Sequence, residues 1–202
     1  MKKRVFFKLA CLLSLVLLGA CGRETQPSQP PKSSEMTSSE PSQSSKQEEG
    51  QVSTENTQRI GSDDYGYVNI PKDWVRFHDA NGGDDIQYSD GTDINIISLN
   101  TITAEKAGVA DLSQVSAEEM ANRFYVGWES KKEVTKQIAG SRTTLAGNVA
   151  YKITILTHKG KIMVIWVLGT PDKKIYYISL EGTKAALVNV LPLIEQTWSP
   201  KK

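Results

Sequence analysis

Cysteine is nearly missing from this chain. Two occur in 202 residues, at positions 11 and 21, so no disulfide can staple anything after residue 21 and a folded part must be held by its core. Histidine is as scarce. His78 and His158 are the two present, and neither has a second histidine or a cysteine at ligand spacing, which excludes a structural zinc site. There is no Gly-x-Ser-x-Gly elbow, no Gly-x-Gly-x-x-Gly turn and no phosphate loop. No basic stripe occurs and the formal net charge is only +1, which argues against a nucleic-acid partner. The paired carboxylates Asp63-Asp64 and Glu118-Glu119 are adjacent, whereas glycoside chemistry sets two carboxylates across a pocket. Glu118-Glu119 suits the positive end of a helix instead. These absences predict no enzyme, no cofactor and no catalytic residues. Apolar runs long enough to span a bilayer are missing too.

What is present begins with a basic start, Lys2, Lys3, Arg4 and Lys8, followed by a short apolar stretch over residues 9–18 that only Cys11 and Ser14 interrupt. Small residues Gly19 and Ala20 come next. That order is a secretory signal, too short for a stable span. The closing Leu18-Gly19-Ala20-Cys21 resembles the lipobox of bacterial lipoproteins. The resemblance implies removal of residues 1–20 and a diacylglyceryl group on the Cys21 thiol, with acyl chains of the palmitate type. Two chains anchor far better than one, at about 0.8 kcal/mol per buried methylene. The expected location is the extracellular face of a bacterial cell membrane, with the membrane itself as a partner through the lipid.

Residues 21–64 are rich in Ser, Thr, Gln and Glu. They are punctuated by Pro27, Pro30, Pro31 and Pro41, and their four basic and eight acidic side chains give a net charge of −4. Such a segment cannot offset its ordering entropy and is expected to be a disordered tether. About 40 flexible residues reach roughly 35 Å. The plain role is a spacer, the sharper one a wall-binding segment. The length suits crossing a thick wall, hence a Gram-positive host.

Residues 65–202 are of ordinary size for one domain. Strands are predicted over 65–70, 74–77, 86–89 and 94–101, with Pro71 ending the first and Asn81-Gly82-Gly83 turning the chain. Ser116 and Glu119 have capping-box spacing, which starts a helix over 117–131 with Met120, Phe124 and Trp128 on its apolar side. Two short strands follow at 134–138 and 143–145. An antiparallel meander is then read over 149–157, 162–168 and 175–180. In its first strand Val149, Tyr151, Ile153 and Ile155 alternate with polar residues, as on a half-covered strand. Its second is almost continuously apolar, as in a central strand covered on both sides. A helix from about Thr183 buries Leu187, Val190, Leu191, Ile194 and Trp198, and Pro192 should kink it or loosen its first turns. Helices covering an antiparallel sheet make an α+β fold, an α/β/α sandwich.

The opening Tyr67-x-Asn69-Ile70-Pro71-x-x-Trp74, the mid-chain helix, the meander and the closing helix resemble the PsbP/Mog1-like fold, across most of residues 65–198. Small lipoproteins of Gram-positive bacteria carry such domains. The resemblance implies that fold and no single activity: some members assist photosystem assembly or bind a small GTPase, and no catalytic residues carry over.

Two features could still hold a ligand. The turn Asp79-Ala80-Asn81-Gly82-Gly83-Asp84-Asp85 offers carboxylates to a hard cation, without EF-hand spacing or its closing Glu, and reads otherwise as a solvated acidic turn. Tyr65, Tyr67, Trp74 and Tyr88, with Tyr125, Tyr176 and Tyr177, exceed what obvious core positions need. They either line a groove for a peptide, glycan or lipid fragment or pack under the helices. Tyr176 and Tyr177, being consecutive, face opposite sides of their strand. Three functions follow: a non-catalytic binding or scaffold module, an accessory factor for another membrane or cell-wall protein, and a surface hydrolase built on His78 or His158. The first is preferred.

Overall fold

The apolar run Ile162–Gly169 is the strand around which the molecule is organised. Val164, Trp166 and Leu168 belong to one hydrophobic cluster, Ile165 and Val167 to another. Successive side chains of a strand point to opposite faces, so this strand is covered on both sides, as expected. The computed structural model describes residues 52–78, 83 and 85–202. The signal segment, Cys21 and the tether up to residue 51 lie outside the described residues.

In chain order the elements are β1 (Thr57–Ser62), β2 (Gly66–Pro71), β3 (Val75–Phe77), β4 (Ile86–Ser89), β5 (Ile96–Ile102), α1 (Ala104–Ala107), a 3-10 turn (Leu112–Gln114), α2 (Ala117–Glu129), β6 (Val134–Leu145), β7 (Asn148–Thr157), β8 (Ile162–Gly169), β9 (Ile175–Gly182) and α3 (Lys184–Thr197). Seven strands form one antiparallel sheet in the order β3-β4-β5-β9-β8-β7-β6. On one face lie α3 and the β1-β2 hairpin, with Ile60, Val68, Ile70, Trp74, Leu187, Val190, Ile194 and Trp198 in that core. On the other lie α1, the 3-10 turn and α2, packed through Ala107, Val115, Met120 and Ala121. Tyr176 joins the first core and Tyr177 the second, the opposite orientations that consecutive strand residues dictate. The α+β class, an antiparallel sheet between helices, is as predicted.

Several details differ. The expected domain start at residue 65 falls after the first strand. β1 pairs along its whole length with β2, from Thr57 opposite Pro71 to Ser62 opposite Gly66. Its composition resembles the tether because a single residue, Ile60, is buried. Arg59 does the rest: its guanidinium donates to Asn69 Oδ1 (3.1 Å), the Thr197 carbonyl (2.9 Å) and Ser199 Oγ (2.5 Å). The two short strands expected at 134–138 and 143–145 are one strand, β6, with a register shift between Val134 and Ile138. The polar stretch around Gly140 looked like a loop because an outer strand needs few apolar residues. α1 and the 3-10 turn were not foreseen; Thr103 and Asp111 cap them through side-chain oxygens. α2 ends at Glu129, two residues early. α3 runs on through Pro192, with Thr183 accepting from the Ala186 N–H at its start.

Candidate functional site

The four aromatics singled out in the sequence do not form a shared surface. Trp74 is 5% exposed in the α3-side core, and Tyr65 and Tyr88 pack against that same core. Tyr67 donates its hydroxyl to Asp63 Oδ1 at 2.9 Å and lies beneath the Arg59 guanidinium, 5.6 Å from the ring centre. The Asp63 bond, with burial, raises the Tyr67 hydroxyl above its ordinary pKa. Tyr65 lines a cavity of about 380 Å³ with Leu112 and Ile175, away from the other three. His78 and His158 are both exposed. Neither imidazole has a hydrogen bond to a carboxylate or hydroxyl among the described residues. Most of the Asp79-Asp85 turn lies outside the described residues; Asp85, at its end, accepts from Gln87 Nε2 at 2.9 Å. Among the described residues no three His, Cys, Asp or Glu side chains cluster as metal ligands, and no helix is long and apolar enough to cross a membrane.

A groove forms elsewhere, between α2 and the outer strand β6. Ser116 starts α2 by accepting from the Glu119 N–H at 3.0 Å. Met120 and Ala121 are buried against the sheet. Residues three and four apart share a helix face, which sets Glu118, Asn122 and Tyr125 in a row along the cavity. That cavity has a volume of about 390 Å³ and is walled on the far side by Gly140, Arg142 and Tyr151. Tyr151 donates its hydroxyl to Glu118 Oε2 at 3.2 Å, closing one end. At the other end a Cβ at Gly140 would touch the Tyr125 ring at 3.4 Å, an ordinary packing distance, so the ring lies over the glycine. Arg142 stands opposite Tyr151 in the β6-β7 register and has no ion pair or side-chain hydrogen bond among the described residues.

On the other flank of α2 a cavity of about 280 Å³ is more apolar, with Ile102, Met120, Phe124 and Tyr177. The Phe124 and Tyr177 rings sit 5.0 Å apart at 54°, and burial pushes the Tyr177 hydroxyl up. Lys106 Nζ donates to Asn100 Oδ1 at 2.9 Å on its rim.

The α2-β6 groove presents a carboxylate, an amide, two phenols and a guanidinium, and Ser141 and Lys152 border it as well, Lys152 being paired with Glu195. No histidine or cysteine borders it. These are groups that can orient a ligand by hydrogen bonds and ring contacts. Of its residues the sequence flagged Tyr125 alone as a surplus aromatic. Asn122 and Gly140 were not singled out, and Ser141-Arg142, set against His158, carried no role in the sequence. The signal for the helical wall was the spacing of 118, 122 and 125; the strand wall gave none, because Gly140 and Ser141 hid the strand itself.

No family model matches the chain, and no curated protein is similar to it. Among solved structures it is similar to the solution structure of cyanobacterial PsbP (CyanoP) from Synechocystis sp. PCC 6803. The two share 16% sequence identity, over 73% of this chain and 92% of that one, at a TM-score of 0.48. At that level the likeness carries no activity, ligand or partner over to this chain.

Proposed function

We propose that this chain is a non-catalytic binding module, held at the outer face of a bacterial membrane by a lipid on Cys21 and serving a membrane or cell-wall protein. One observation carries the binding role: the α2-β6 groove is open, with Glu118, Arg142 and Tyr151 at one end and the Tyr125 ring over Gly140 at the other, and its groups suit recognition. The lipobox-like Leu18-Gly19-Ala20-Cys21 supports the location. Nothing in the groove supplies an activated nucleophile, which favours binding over a surface hydrolase.

The test is made on cells expressing the full chain with a photo-crosslinking residue at position 122. A defined adduct that is lost when Tyr125 is changed to Ala supports the module. Crosslinks that ignore Tyr125 overturn it. Incorporation of a labelled fatty acid that disappears in Cys21→Ala, with release of the protein from the membrane fraction, checks the anchor.

A further inference from the structure

The outer edge of β6 is a row of backbone groups that no strand among the described residues meets. β6 and β7 are joined by Ala146 and Gly147, both at positive φ (46° and 81°), the conformation of a two-residue type I′ turn. Such a turn makes Leu145 and Asn148 a hydrogen-bonded pair. Hydrogen-bonded pairs alternate along an antiparallel ladder. Thr143-Ala150, Ser141-Lys152 and Ala139-Thr154 are therefore the bonded pairs of this register. The N–H and C=O groups of Ile138, Gly140, Arg142 and Thr144 point off the sheet, where no described strand meets them.

From Ile138 to Thr144 this edge is thinly protected, with Arg142 its one charged residue. Residues 134–145 contain no proline, and the register shift is confined to the stretch before Ile138. The opposite edge, β3, is only three residues long. Lone long edges are templates for another strand. The same strand face borders the groove and the core beside it: Gly140 lies under Tyr125, Arg142 stands beside Tyr151, and Ile138 packs in the α2-side core.

We propose that the free edge of β6 receives an extended segment of a partner protein, which adds an eighth strand and lays alternate side chains in the groove under α2. The inference rests on the binding-module reading and names the form of its ligand. Backbone pairing supplies affinity and alternate side chains supply specificity. A carboxylate belongs opposite Arg142, since opposite charges across a ladder attract. Apolar side chains belong at the next two same-face positions, against Tyr125 over Gly140 and beside Ile138. The recognised pattern is one acidic and two apolar residues, each separated by one residue.

The test pans a phage-displayed library of ten-residue peptides over the full chain in detergent. Selected peptides should carry that alternating pattern and slow amide exchange at Ile138, Gly140, Arg142 and Thr144 by at least tenfold. Thr144→Pro, which removes an outward N–H and leaves the Arg142 guanidinium in place, should weaken them at least tenfold. Arg142→Glu should do the same, and a lysine in place of the peptide's acidic residue should restore binding to that variant. Peptides indifferent to both variants overturn the edge proposal and leave the module standing. A library that yields no binder also overturns it, while the crosslink at position 122 still decides the module. Protection of the four amides without peptide, rising with protein concentration, assigns the edge to a second copy of the chain and overturns a foreign segment.

Discussion

Asn95 ties the turn before β5 to the start of α3. Its Nδ2 donates to Asp90 Oδ2 at 2.5 Å and its Oδ1 accepts from the Thr183 N–H at 2.9 Å. Gly182 leaves this amide its place, since a Cβ there would push Asn95 Oδ1 aside. Asn95→Ala should cost about 1–3 kcal/mol in urea unfolding, since two part-buried hydrogen bonds are lost, one of them to a carboxylate. Burial acts to raise the Asp90 carboxyl, but hydrogen bonds from Thr92 and Asn95 outweigh it and hold it below its ordinary value. A depressed carboxyl stabilises the fold fully above its unfolded pKa, about 3.9, and the contribution is lost as pH falls through the lower folded value. Urea midpoints should therefore fall on acidification below about pH 4, and Asp90→Asn should flatten part of that fall. A variant whose acid profile matches the parent would disprove the coupling.

The meander, α2 and α3 were legible because their apolar spacing is strong: alternation in β7, continuity in β8, four-residue recurrence in α2. β1 and the middle of β6 were not. Each is a strand whose exposed side carries polar residues, and composition alone cannot separate that from a tether or loop. Gly61 shows how firmly β1 is nonetheless specified. It sits at φ +137°, and a Cβ there would strike the Gly66 carbonyl oxygen, so Gly61→Ala should destabilise the hairpin by more than about 1 kcal/mol. Of the groove only Tyr125 was singled out, as a surplus aromatic; the spacing of 118, 122 and 125 could have marked the helical wall, and the strand wall left no signal. The alternation in β6 gives a paired expectation. Thr143→Pro breaks a ladder bond and strands the Ala150 carbonyl, costing about 1–3 kcal/mol. Thr144→Pro spares the ladder and should cost clearly less. Equal thermal shifts for the two would mean the bonded and free pairs are assigned the wrong way round.

Across the folded part, β1 makes the difference between the boundary read from composition and the real one. A chain beginning at residue 65 lacks Ile60 and the Arg59 bonds to Thr197 and Ser199 that fasten the end of α3. It should melt several degrees below a chain beginning at residue 52, given about 2–4 °C per kcal/mol at this size. Equal melting would show β1 to be an ornament. The four tryptophans divide unevenly between the two faces of the sheet. Trp74, Trp166 and Trp198 share the α3-side core, while Trp128 alone packs on the α2 side, with Lys131 Nζ 3.5 Å above its ring. The protein thus carries its own optical partition. Three indoles emit from a dry interior, and the fourth emits beside a cation on the helix that walls the groove. With Trp128→Phe as the blank, the difference in fluorescence isolates one side of the sheet, and events at α2 can be followed by light without attaching a dye.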